Sequence, residues 1–287
     1  MSSRPFISVI VPYLNEEEFI ERCIRSLLDQ EYDPQCYELI FVDNGSTDHS
    51  ADIVRRYPQI MYLQERKPNV YAARNCGLTV AQGEIMAFTD ADCTVERGWL
   101  AAIAESFLFR EVGIVLGYRK MGRTDSRLLS IFGEYENHKA EYVFRCLPKD
   151  YYFGYTNNMA VRAELFKRYG AFREFPVAGD TEFVQRCVEL DSDLRVAVLS
   201  GMEIHHQEIQ EPSDWLRKLM LYGRHNQDLK RISRYRSLGI KDKYDIVLDL
   251  WSDGRSSFYE KMSLLMALAL GQICYAWGMM SSRSRPC

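Results

Sequence analysis

Two aspartates, Asp90 and Asp92, follow a short apolar run that begins after Gly83 and Glu84. Such a run is typical of a buried strand, whose end would place both carboxylates at the carboxyl edge of a sheet, where open α/β folds bind ligands. Two carboxylates this close repel each other unless a cation or a donor-rich ligand shares them. Because oxygen ligands favour hard ions, the pair predicts a site for Mg2+ or Mn2+.

A second Asp-x-Asp copy weakens this interpretation when it is taken alone. The copy is Asp191-Ser-Asp193, which lies between a helical pattern and a strand pattern. We interpret it as a solvated turn. The neighbours of Asp90 and Asp92 must therefore decide whether that pair is a site or only a turn.

Three more side chains are candidates because of where the patterns place them. Asp43 closes a predicted strand, where it either binds a base or ribose or stabilises its own loop as an Asx-turn. Arg74 lies in a helix that begins near the same edge, with a surface ion pair as the alternative. Asp180 opens a later helix, where the macrodipole favours an acid.

The elements that position these residues alternate between strand and helix through the first part of the chain. The β-branched run 7–11 predicts a central strand that Pro12 ends, and Asn15 is a candidate N-cap for the helix that follows. Alternation of this kind indicates βαβ units and an α/β fold with a mostly parallel sheet. We predict strands over 7–11, 37–42, 60–63, 85–89 and 195–199, and helices over 19–28, 70–81, 126–145, 180–190 and 212–232.

Composition narrows the class of protein. The 287 residues are 47% hydrophobic and 26% charged, which is typical of a globular chain, and a net charge of −4 gives no reason to expect nucleic acid as a partner. The eight cysteines include no Cys-x-x-Cys pair, which argues against a zinc site or a disulfide framework. A strand pattern within six residues of the start leaves no room for a signal peptide, so we expect a cytoplasmic protein.

The stretch 264–280 is apolar except for Gln272 and three small breaks. It is slightly shorter than the roughly 20 residues that span a bilayer. Lys261 and Arg283 flank this stretch closely, and Arg255 and Arg285 lie further from it along the sequence. We predict peripheral contact with the inner membrane face, with a buried core helix as the alternative.

Several motifs together resemble the family 2 glycosyltransferases, in that family's order and spacing. They are Ile7-Ser-Val-Ile-Val-Pro-Tyr-Leu-Asn15, Val42-Asp-Asn-Gly-Ser-Thr-Asp48, Ala73-Arg-Asn-Cys-Gly77, Gly83-Glu-Ile-Met-Ala-Phe-Thr-Asp-Ala-Asp92, Asn157-Asn-Met-Ala-Val-Arg162, Gly170-Ala-Phe172 and Gly179-Asp-Thr-Glu-Phe183. The resemblance extends to about residue 206, beyond which only Leu221-Tyr-Gly-Arg224 is similar.

The resemblance implies a GT-A fold with a glycosyltransferase domain over 1–206 and a helical C-terminal extension over 207–287. Within the domain, 1–117 would bind the nucleotide sugar and 118–206 the acceptor. It implies an inverting enzyme that uses a nucleotide diphosphate sugar, with UDP-sugars favoured, in cell envelope polysaccharide synthesis. The acceptor would be a glycan, a lipid-linked molecule or a small molecule. The motif Gln-x-x-Arg-Trp of processive members is absent, which favours transfer of single residues.

The resemblance also assigns roles residue by residue. Pro12, Asn15, Asp43 and Arg74 would line the uridine pocket, and Asp90 would hold the ribose or the water shell of the metal. Asp92 would bind the Mg2+ or Mn2+ that bridges the diphosphate, with His205 or His206 nearby as a further ligand. Asp180 would be the catalytic base. The family usually carries Glu before this base, whereas this chain has Gly179, so Glu182 is the alternative base.

Two other classes of protein are alternatives. Thr89-Asp-Ala-Asp-Cys-Thr-Val95 also fits the Asp-x-Asp-x-Thr signature of haloacid-dehalogenase-like phosphatases, in which the first Asp is a nucleophile and the second a general acid. That interpretation leaves Asn15, Asp43 and Arg74 without a role. The other alternative is a non-catalytic nucleotide-sugar-binding protein, since Gly179 replaces an expected acid.

Overall fold

The structure is a computed structural model that describes residues 4–121, 126–207, 209, 211–232, 236–252 and 257–282. The described residues fall into two compact units. The first lies within Met1–Tyr118 and Phe153–His205, and the second within Arg119–Tyr152 and His206–Cys287. Residues 119–152 therefore group with the C-terminal helices, and the functional division at residue 206 stays a prediction.

The first unit is built on the parallel sheet that the sequence predicts. Its strands β1 (Ile7–Tyr13), β2 (Tyr37–Asp43), β3 (Ile60–Gln64) and β4 (Ile85–Thr89) pair in parallel in the order β3-β2-β1-β4. The β-branched and aromatic residues of β1, β2 and β4 are almost all buried, as expected for strands covered on both faces. The ends of β2 and β4 consequently lie at the same edge.

Four later strands make the sheet mixed. They are β5 (Cys93–Val95), β6 (Val112–Met121), β7 (Asn158–Arg162) and β8 (Arg195–His206), and they complete the order β3-β2-β1-β4-β7-β6-β8-β5. β7 is antiparallel to both β4 and β6. Alternation stops after β4, and the reversal places the start of β7 beside the end of β4, with Asn158 opposite Thr89. The observed strand β8 is longer than the predicted strand 195–199.

The helices of the first unit follow from local patterns and caps. In α1 (Ile20–Leu28) the buried residues Ile20, Cys23, Ile24 and Leu27 form one apolar stripe. The helix α3 begins where the side chain of Asn69 accepts hydrogen bonds from two backbone N–H groups of its first turn. The helices are α1, α2 (Ser50–Val54), α3 (Val70–Val80), α4 (Trp99–Ser106), α6 (Ala163–Tyr169) and α7 (Gly179–Leu190), and α5 belongs to the second unit.

Two local predictions near the end of β1 are wrong. β1 continues one residue beyond Pro12, because its pairing with β4 has already ended at Ile10 and the proline lies where only β2 remains alongside. Asn15 does not cap α1, which begins at Ile20. It has a left-handed φ of 57°, and its side-chain oxygen accepts a hydrogen bond from the backbone N–H of Thr47.

A buried asparagine joins the later strands of this unit to α4. The Asn158 side chain is fully buried and donates to the carbonyl oxygens of Tyr118 (2.8 Å) and Met202 (2.9 Å). Its oxygen accepts a hydrogen bond from the indole N–H of Trp99 at 2.9 Å. A Cβ on Gly117 would lie 2.1 Å from the Met202 oxygen and 2.2 Å from the Asn158 amide nitrogen, so only glycine fits there.

The second unit is helical. Its helices are α5 (Arg127–Cys146), α8 (Pro212–Ile232), α9 (Ile240–Trp251) and α10 (Phe258–Ser282). The predicted helix 212–232 is confirmed, and α9 was not predicted. A small core joins α5, α9 and α10 through Ile131, Phe132, Tyr135, Ile246, Val247 and Leu264.

The helices α8 and α10 approach each other closely at glycines. A Cβ on Gly223 would lie 2.2 Å from the carbonyl oxygen of Tyr275, and one on Gly278 would lie 2.2 Å from the oxygen of Met220. On Gly271 it would meet the ring of Trp215 at 2.5 Å. Side chains larger than glycine would therefore push the two helices apart.

The opposite face of α10 is apolar and exposed. Among the described residues, one helix has the length and hydropathy to cross a membrane, Phe258–Ser281, with a mean hydropathy of 1.4. Its exposed apolar residues recur every three or four positions, which places them on one face. They are Tyr259, Met262, Met266, Leu270, Ile273, Trp277 and Met280. We call this surface the α10 apolar face.

Candidate active site

Asp90 and Asp92 stand directly after β4 in a tight turn. The N–H of Cys93 donates to the carbonyl oxygen of Asp90 at 3.1 Å, and the Cys93 thiol lies 3.4 Å from Oδ1 of Asp92. Asp92 is buried, whereas the side chain of Asp90 is one-third exposed. Burial, reinforced by the two carboxylates, raises the pKa of the Cys93 thiol well above its ordinary value. The thiol therefore stays neutral and donates to Asp92.

Arg74 joins Asp90 in a buried ion pair. Its Nη2 lies 2.6 Å from Oδ1 of Asp90, and its side chain is only 4% exposed. The alternative of a surface ion pair is therefore wrong. Nε of Arg74 is buried and has no hydrogen-bond partner within the described part of the chain. A buried guanidinium N–H without a partner is costly, so this atom is available to a ligand.

The helix α3 brings a second side chain to the same place. Tyr71 and Arg74 are three residues apart and so share one face of α3. The guanidinium carbon of Arg74 lies 5.4 Å from the centre of the Tyr71 ring, within cation–π range. The Tyr71 hydroxyl donates to Oδ1 of Asp180 at 3.2 Å. A continuous chain of contacts thus runs from Asp90 through Arg74 and Tyr71 to Asp180.

Asp180 accepts four hydrogen bonds. Oδ1 accepts from the Tyr71 hydroxyl and, at 2.8 Å, from the N–H of Thr181. Oδ2 accepts from the N–H of Thr156 at 3.1 Å and from its hydroxyl at 3.3 Å. These donors and Arg74 lower the pKa of Asp180, but desolvation raises it more, and the pKa lies above the ordinary aspartate value. Asp180 is thus a buried carboxylate with a raised pKa, held near the cation Arg74.

The backbone around Asp180 is tightly constrained. Ala178, just before α7, has a left-handed φ of 61°, which is uncommon for a residue with a side chain. A Cβ on Gly154 would lie 2.8 Å from the carbonyl oxygen of Asp180. A Cβ on Gly179 would lie 2.6 Å from the oxygen of Arg173. The local backbone therefore has little freedom, and it presents the Asp180 carboxylate in one position.

Glu182, the alternative base, has different partners. It is buried and forms ion pairs with Arg173 at 3.2 Å and with Arg186 at 3.4 Å. Desolvation raises the pKa of Glu182, and the two arginines oppose that rise. One contact lies within α7 and the other joins α7 to the loop that contains Arg173. Neither Arg74 nor Tyr71 is a partner of Glu182 among the described ion pairs and hydrogen bonds.

The end of β2 places Asp43 in a network of its own. Oδ1 accepts the N–H of Ser46 at 2.8 Å, which is the loop-stabilising contact that the sequence left as an alternative. Oδ2 accepts the hydroxyl of Tyr62 at 3.3 Å and the amide of Gln64 at 3.5 Å. Asp43 is buried. The hydroxyl of Tyr13, at the end of β1, is buried and has no partner among the described residues.

Pro12 and Asn15 occupy the same region as Asp43. Pro12 is buried in β1 opposite Val42, the residue before Asp43. Asn15 is exposed, and the loop after β2 contacts it at Ser46 and Thr47. The structure thus brings these two residues to the end of β2, whereas Arg74 lies with Asp90 and Asp180. Binding of a nucleotide by these residues stays a prediction.

The two histidines of β8 have separate surroundings. Nε2 of His205 lies 2.8 Å from Glu96 and 3.8 Å from Glu203. His206 is buried, with its Nε2 3.3 Å from Nζ of Lys218. Burial and the nearby cations lower the pKa of His206 well below its ordinary value, so it is neutral at pH 7. The role of His205 as a metal ligand stays a prediction.

Sequence reasoning missed four side chains of this region. Tyr71 and Thr156 hold Asp180, and Tyr62 and Gln64 hold Asp43. Tyr71 precedes Arg74 by three positions in a predicted helix, which was a usable signal. Thr156 carried no such signal, because its contact with Asp180 joins segments that only the fold brings together.

Asp191-Ser-Asp193 is a turn, as predicted. The Asp191 carboxylate accepts the N–H groups of Asp193 at 3.1 Å and Leu194 at 3.2 Å. Asp193 is exposed. This copy therefore serves as an internal comparison for the pair at Asp90 and Asp92.

Fold and motifs place the chain in a known class. The profile of glycosyl transferase family 2 matches residues 8–170, and the chain belongs to this family. It is 38% identical over 104 residues to glycosyltransferase AglE of Haloferax volcanii, a match that covers 34% of each chain. The match thus spans about a third of that relative's length.

Solved structures share the fold. The mannosyltransferase PcManGT from Pyrobaculum calidifontis, in complex with GDP-Man and Mn2+, superposes with a TM-score of 0.66 at 18% identity, covering 99% of this chain and 88% of that one. S. aureus TarS 1–349 in complex with UDP-GlcNAc gives 0.54 at 20% identity, covering 96% and 83%. These likenesses show that the fold is GT-A, with helices beyond the core domain.

Proposed function

We propose that the protein is an inverting, metal-dependent glycosyltransferase that moves a sugar from a UDP-sugar to an acceptor hydroxyl. One observation carries this proposal. Arg74 lies between Asp90, at the edge where the α/β sheet binds ligands, and Asp180, a constrained carboxylate with a raised pKa. A donor-side carboxylate, a cation and a base are what a single displacement at a sugar needs.

The nucleotide would lie at the ends of β1 and β2. Asp43 offers its carboxylate to an N–H of the base or to a ribose hydroxyl, while Pro12 and Asn15 form the adjoining wall. The buried hydroxyl of Tyr13 and the buried Nε of Arg74 are polar atoms without described partners, and each suits a polar ligand. The relatives with solved structures include one in complex with GDP-Man and one with UDP-GlcNAc. We favour a UDP-sugar on the family resemblance.

The residues present fit a divalent ion. Asp90 and Asp92 supply hard carboxylate oxygens one residue apart, of which Asp92 is buried. We propose that Asp92 binds Mg2+ or Mn2+, with His205 or His206 as a further ligand, and that Asp90 holds the ribose or the water shell of the ion. When bound, such an ion stabilises the negative charge of the diphosphate leaving group.

Asp180 is the proposed base. The acceptor hydroxyl gives its proton to the Asp180 carboxylate as its oxygen bonds to the anomeric carbon. The bond from that carbon to the diphosphate oxygen breaks, and the electron pair leaves with the nucleoside diphosphate. Because four donors already fill the acceptor sites of the carboxylate, the acceptor must displace one of them. The hydroxyl of Thr156 makes the longest contact, at 3.3 Å, and it is the donor that we expect to move.

The test is a panel of donors with the purified protein. We expect UDP-sugars to raise the melting temperature in the presence of Mn2+ or Mg2+ and to release UDP when an acceptor is supplied. A response to GDP-mannose in place of UDP-sugars would change the donor but not the reaction. Hydrolysis of a phosphate monoester without any sugar nucleotide would support the phosphatase alternative. Tight UDP binding with no turnover on any acceptor would support a non-catalytic binder.

We also propose that the α10 apolar face lies against a membrane surface. The face carries no charged residue between Met262 and Met280, and it includes Trp277, a residue that favours the bilayer interface. In the sequence, Lys261 and Arg283 flank the stretch 264–280, with Arg255 and Arg285 further out, and such cations suit anionic headgroups. The three arginines lie outside the described residues. A chain in contact with the inner membrane face from the cytoplasm would meet a lipid-linked acceptor in cell envelope synthesis.

A further inference from the structure

Tyr71 occupies a central place in the candidate site although no motif singled it out. It is 4% exposed and packs between the guanidinium of Arg74 and the ring of Phe172, whose centre is 5.9 Å from its own. Its hydroxyl donates to Oδ1 of Asp180. Packing on two sides holds the ring, so the hydroxyl has one orientation available for this contact.

The ring of Tyr71 packs closely against Gly179. A Cβ on Gly179 would lie 3.0 and 3.1 Å from two ring carbons of Tyr71. It would also lie 2.6 Å from the carbonyl oxygen of Arg173, a backbone atom that does not move aside easily. The ring of Tyr71 therefore takes part of the volume that a side chain at residue 179 would use.

We infer that Tyr71 is a positioning residue for the base Asp180. This inference rests on the proposed function, because it requires Asp180 to be the base. The Tyr71 hydroxyl fixes Oδ1 while Oδ2 turns toward the acceptor. Without the hydroxyl, Oδ1 keeps one donor among the described residues, the N–H of Thr181. The carboxylate then gains rotational freedom about its last bond.

The hydrogen bond also has a predictable effect on acid–base behaviour. A donor to a carboxylate favours the charged form and lowers its pKa. Burial already raises the pKa of Asp180. The activity of the wild-type enzyme should therefore decline, as the pH is lowered, at a pH above the ordinary aspartate pKa of about 3.9. Removal of the Tyr71 hydroxyl raises the pKa further. Because the base works only when ionised, the acid limb of the pH profile must then move to higher pH.

The test is Tyr71→Phe, which keeps the ring and its packing. We expect the acid limb of kcat/KM to move up by about one pH unit and kcat on the plateau to fall roughly tenfold, with the melting temperature and its response to UDP and Mn2+ retained. The matched control is Tyr169→Phe. The hydroxyl of Tyr169 also donates to a carboxylate at 3.2 Å, that of Asp191, which lies in the turn after α7. The control should keep the wild-type pH profile.

The outcomes separate the two proposals. If the wild-type protein transfers no sugar, the proposed function is wrong, and the positioning role of Tyr71 is wrong with it. If the wild type is active and Tyr71→Phe keeps the wild-type pH profile and kcat, the positioning role is wrong, and the proposed function is unaffected. A loss of kcat with an unmoved acid limb and a lowered melting temperature would make Tyr71 a packing residue only. An equal shift in Tyr169→Phe would also overturn the inference.

Discussion

Asp180 is held by donors from three segments that lie far apart in the chain, α3, the loop before β7 and α7 itself. A first-turn acid that only stabilises its helix would act through the helix macrodipole, worth about 0.3–1 kcal/mol, and would need no contact outside α7. Contacts with Tyr71 and Thr156 position the carboxylate relative to Arg74 as well. The residue-level geometry therefore favours a role beyond capping.

Asp180→Asn tests that role. The amide keeps the shape and one acceptor oxygen but cannot take a proton from the acceptor hydroxyl. We expect turnover to fall on the order of 100-fold or more, with UDP and metal binding retained. Asp193→Asn, at an exposed turn, is the control and should stay fully active. An active Asp180→Asn enzyme beside an inactive Glu182→Gln would move the base to Glu182, and a product with retained configuration would exclude a single displacement.

Asp92 is the residue on which the metal proposal depends. Asp92→Ala removes a buried carboxylate that we propose to bind the ion, so we expect the melting temperature to lose its joint response to UDP and Mn2+. The control is Asp193→Ala in the second Asp-x-Asp copy, where a surface substitution should be near neutral. Wild-type metal dependence in Asp92→Ala would show that the ion binds elsewhere.

At the level of elements, the antiparallel strand β7 connects the two halves of the site. It pairs with β4, which ends before Asp90, and it follows the loop that contains Thr156. Asn158, at the start of β7, bonds to β6, β8 and α4 at once. The position of Thr156 beside Asp180 therefore depends on how this asparagine holds the strand.

Asn158→Ala should destabilise the first unit strongly. It would leave the Trp99 indole N–H and two carbonyl oxygens buried without their partner, at about 1–3 kcal/mol for each unsatisfied group. We expect a loss of at least about 3 kcal/mol in urea unfolding. Thr79→Ala, which removes an exposed hydroxyl bonded only within its own helix, is the control and should change stability by less than about 0.5 kcal/mol. Equal unfolding curves for the two variants would contradict this account.

The strands β1 to β4 and the helices between them were largely predictable from sequence. The elements after β4 were predictable only in part. Runs such as Ile7–Val11 bury every residue, so composition alone indicates a strand. β6 and β7 mix glycine, asparagine and arginine with apolar residues, because Gly117 and Asn158 serve contacts between strands rather than burial. Local patterns do not reveal such contacts. The same reason explains why Asp180 was predicted as a site residue while Thr156 was not.

Asn15, near the N-terminal end of the candidate site, also shows that local sequence patterns do not reveal contacts between distant segments. Asn15 was identified by the family motif, but its predicted role as a helix cap is wrong, because its left-handed backbone turns it toward Thr47. An asparagine can serve either as a helix cap or in a loop contact, so the sequence alone does not distinguish the two roles. Only the position of the loop after β2 distinguishes them.

At the scale of the whole molecule, the C-terminal helices raise the question of where the protein works. α10 presents glycines to α8 and large apolar side chains to its other face. Close packing at glycines is common where helices associate in lipid. A protein with this face in contact with water alone would expose an apolar patch, which is associated with binding surfaces or aggregation.

Charged substitutions on that face should weaken membrane binding. We expect Ile273→Glu with Trp277→Glu to reduce co-sedimentation with vesicles containing phosphatidylserine on the order of tenfold or more, since both side chains are 65% exposed. The control pair is Leu108→Glu with Phe109→Glu, two apolar residues of the first unit that are 65% and 60% exposed. It should bind vesicles as the wild type does. Equal losses in both pairs, or no wild-type binding, would overturn the membrane proposal.

The shared volume of Tyr71 and Gly179 restricts how this chain can change over time. A glutamate gained at residue 179 would collide with the Tyr71 ring, and a small residue gained at position 71 would leave Asp180 without a donor from α3. A side chain at residue 179 would also meet the carbonyl oxygen of Arg173 at 2.6 Å, so a change at position 71 alone would not make room for it. A larger residue at position 179 therefore needs a shift of the backbone at Arg173 as well as of the Tyr71 ring.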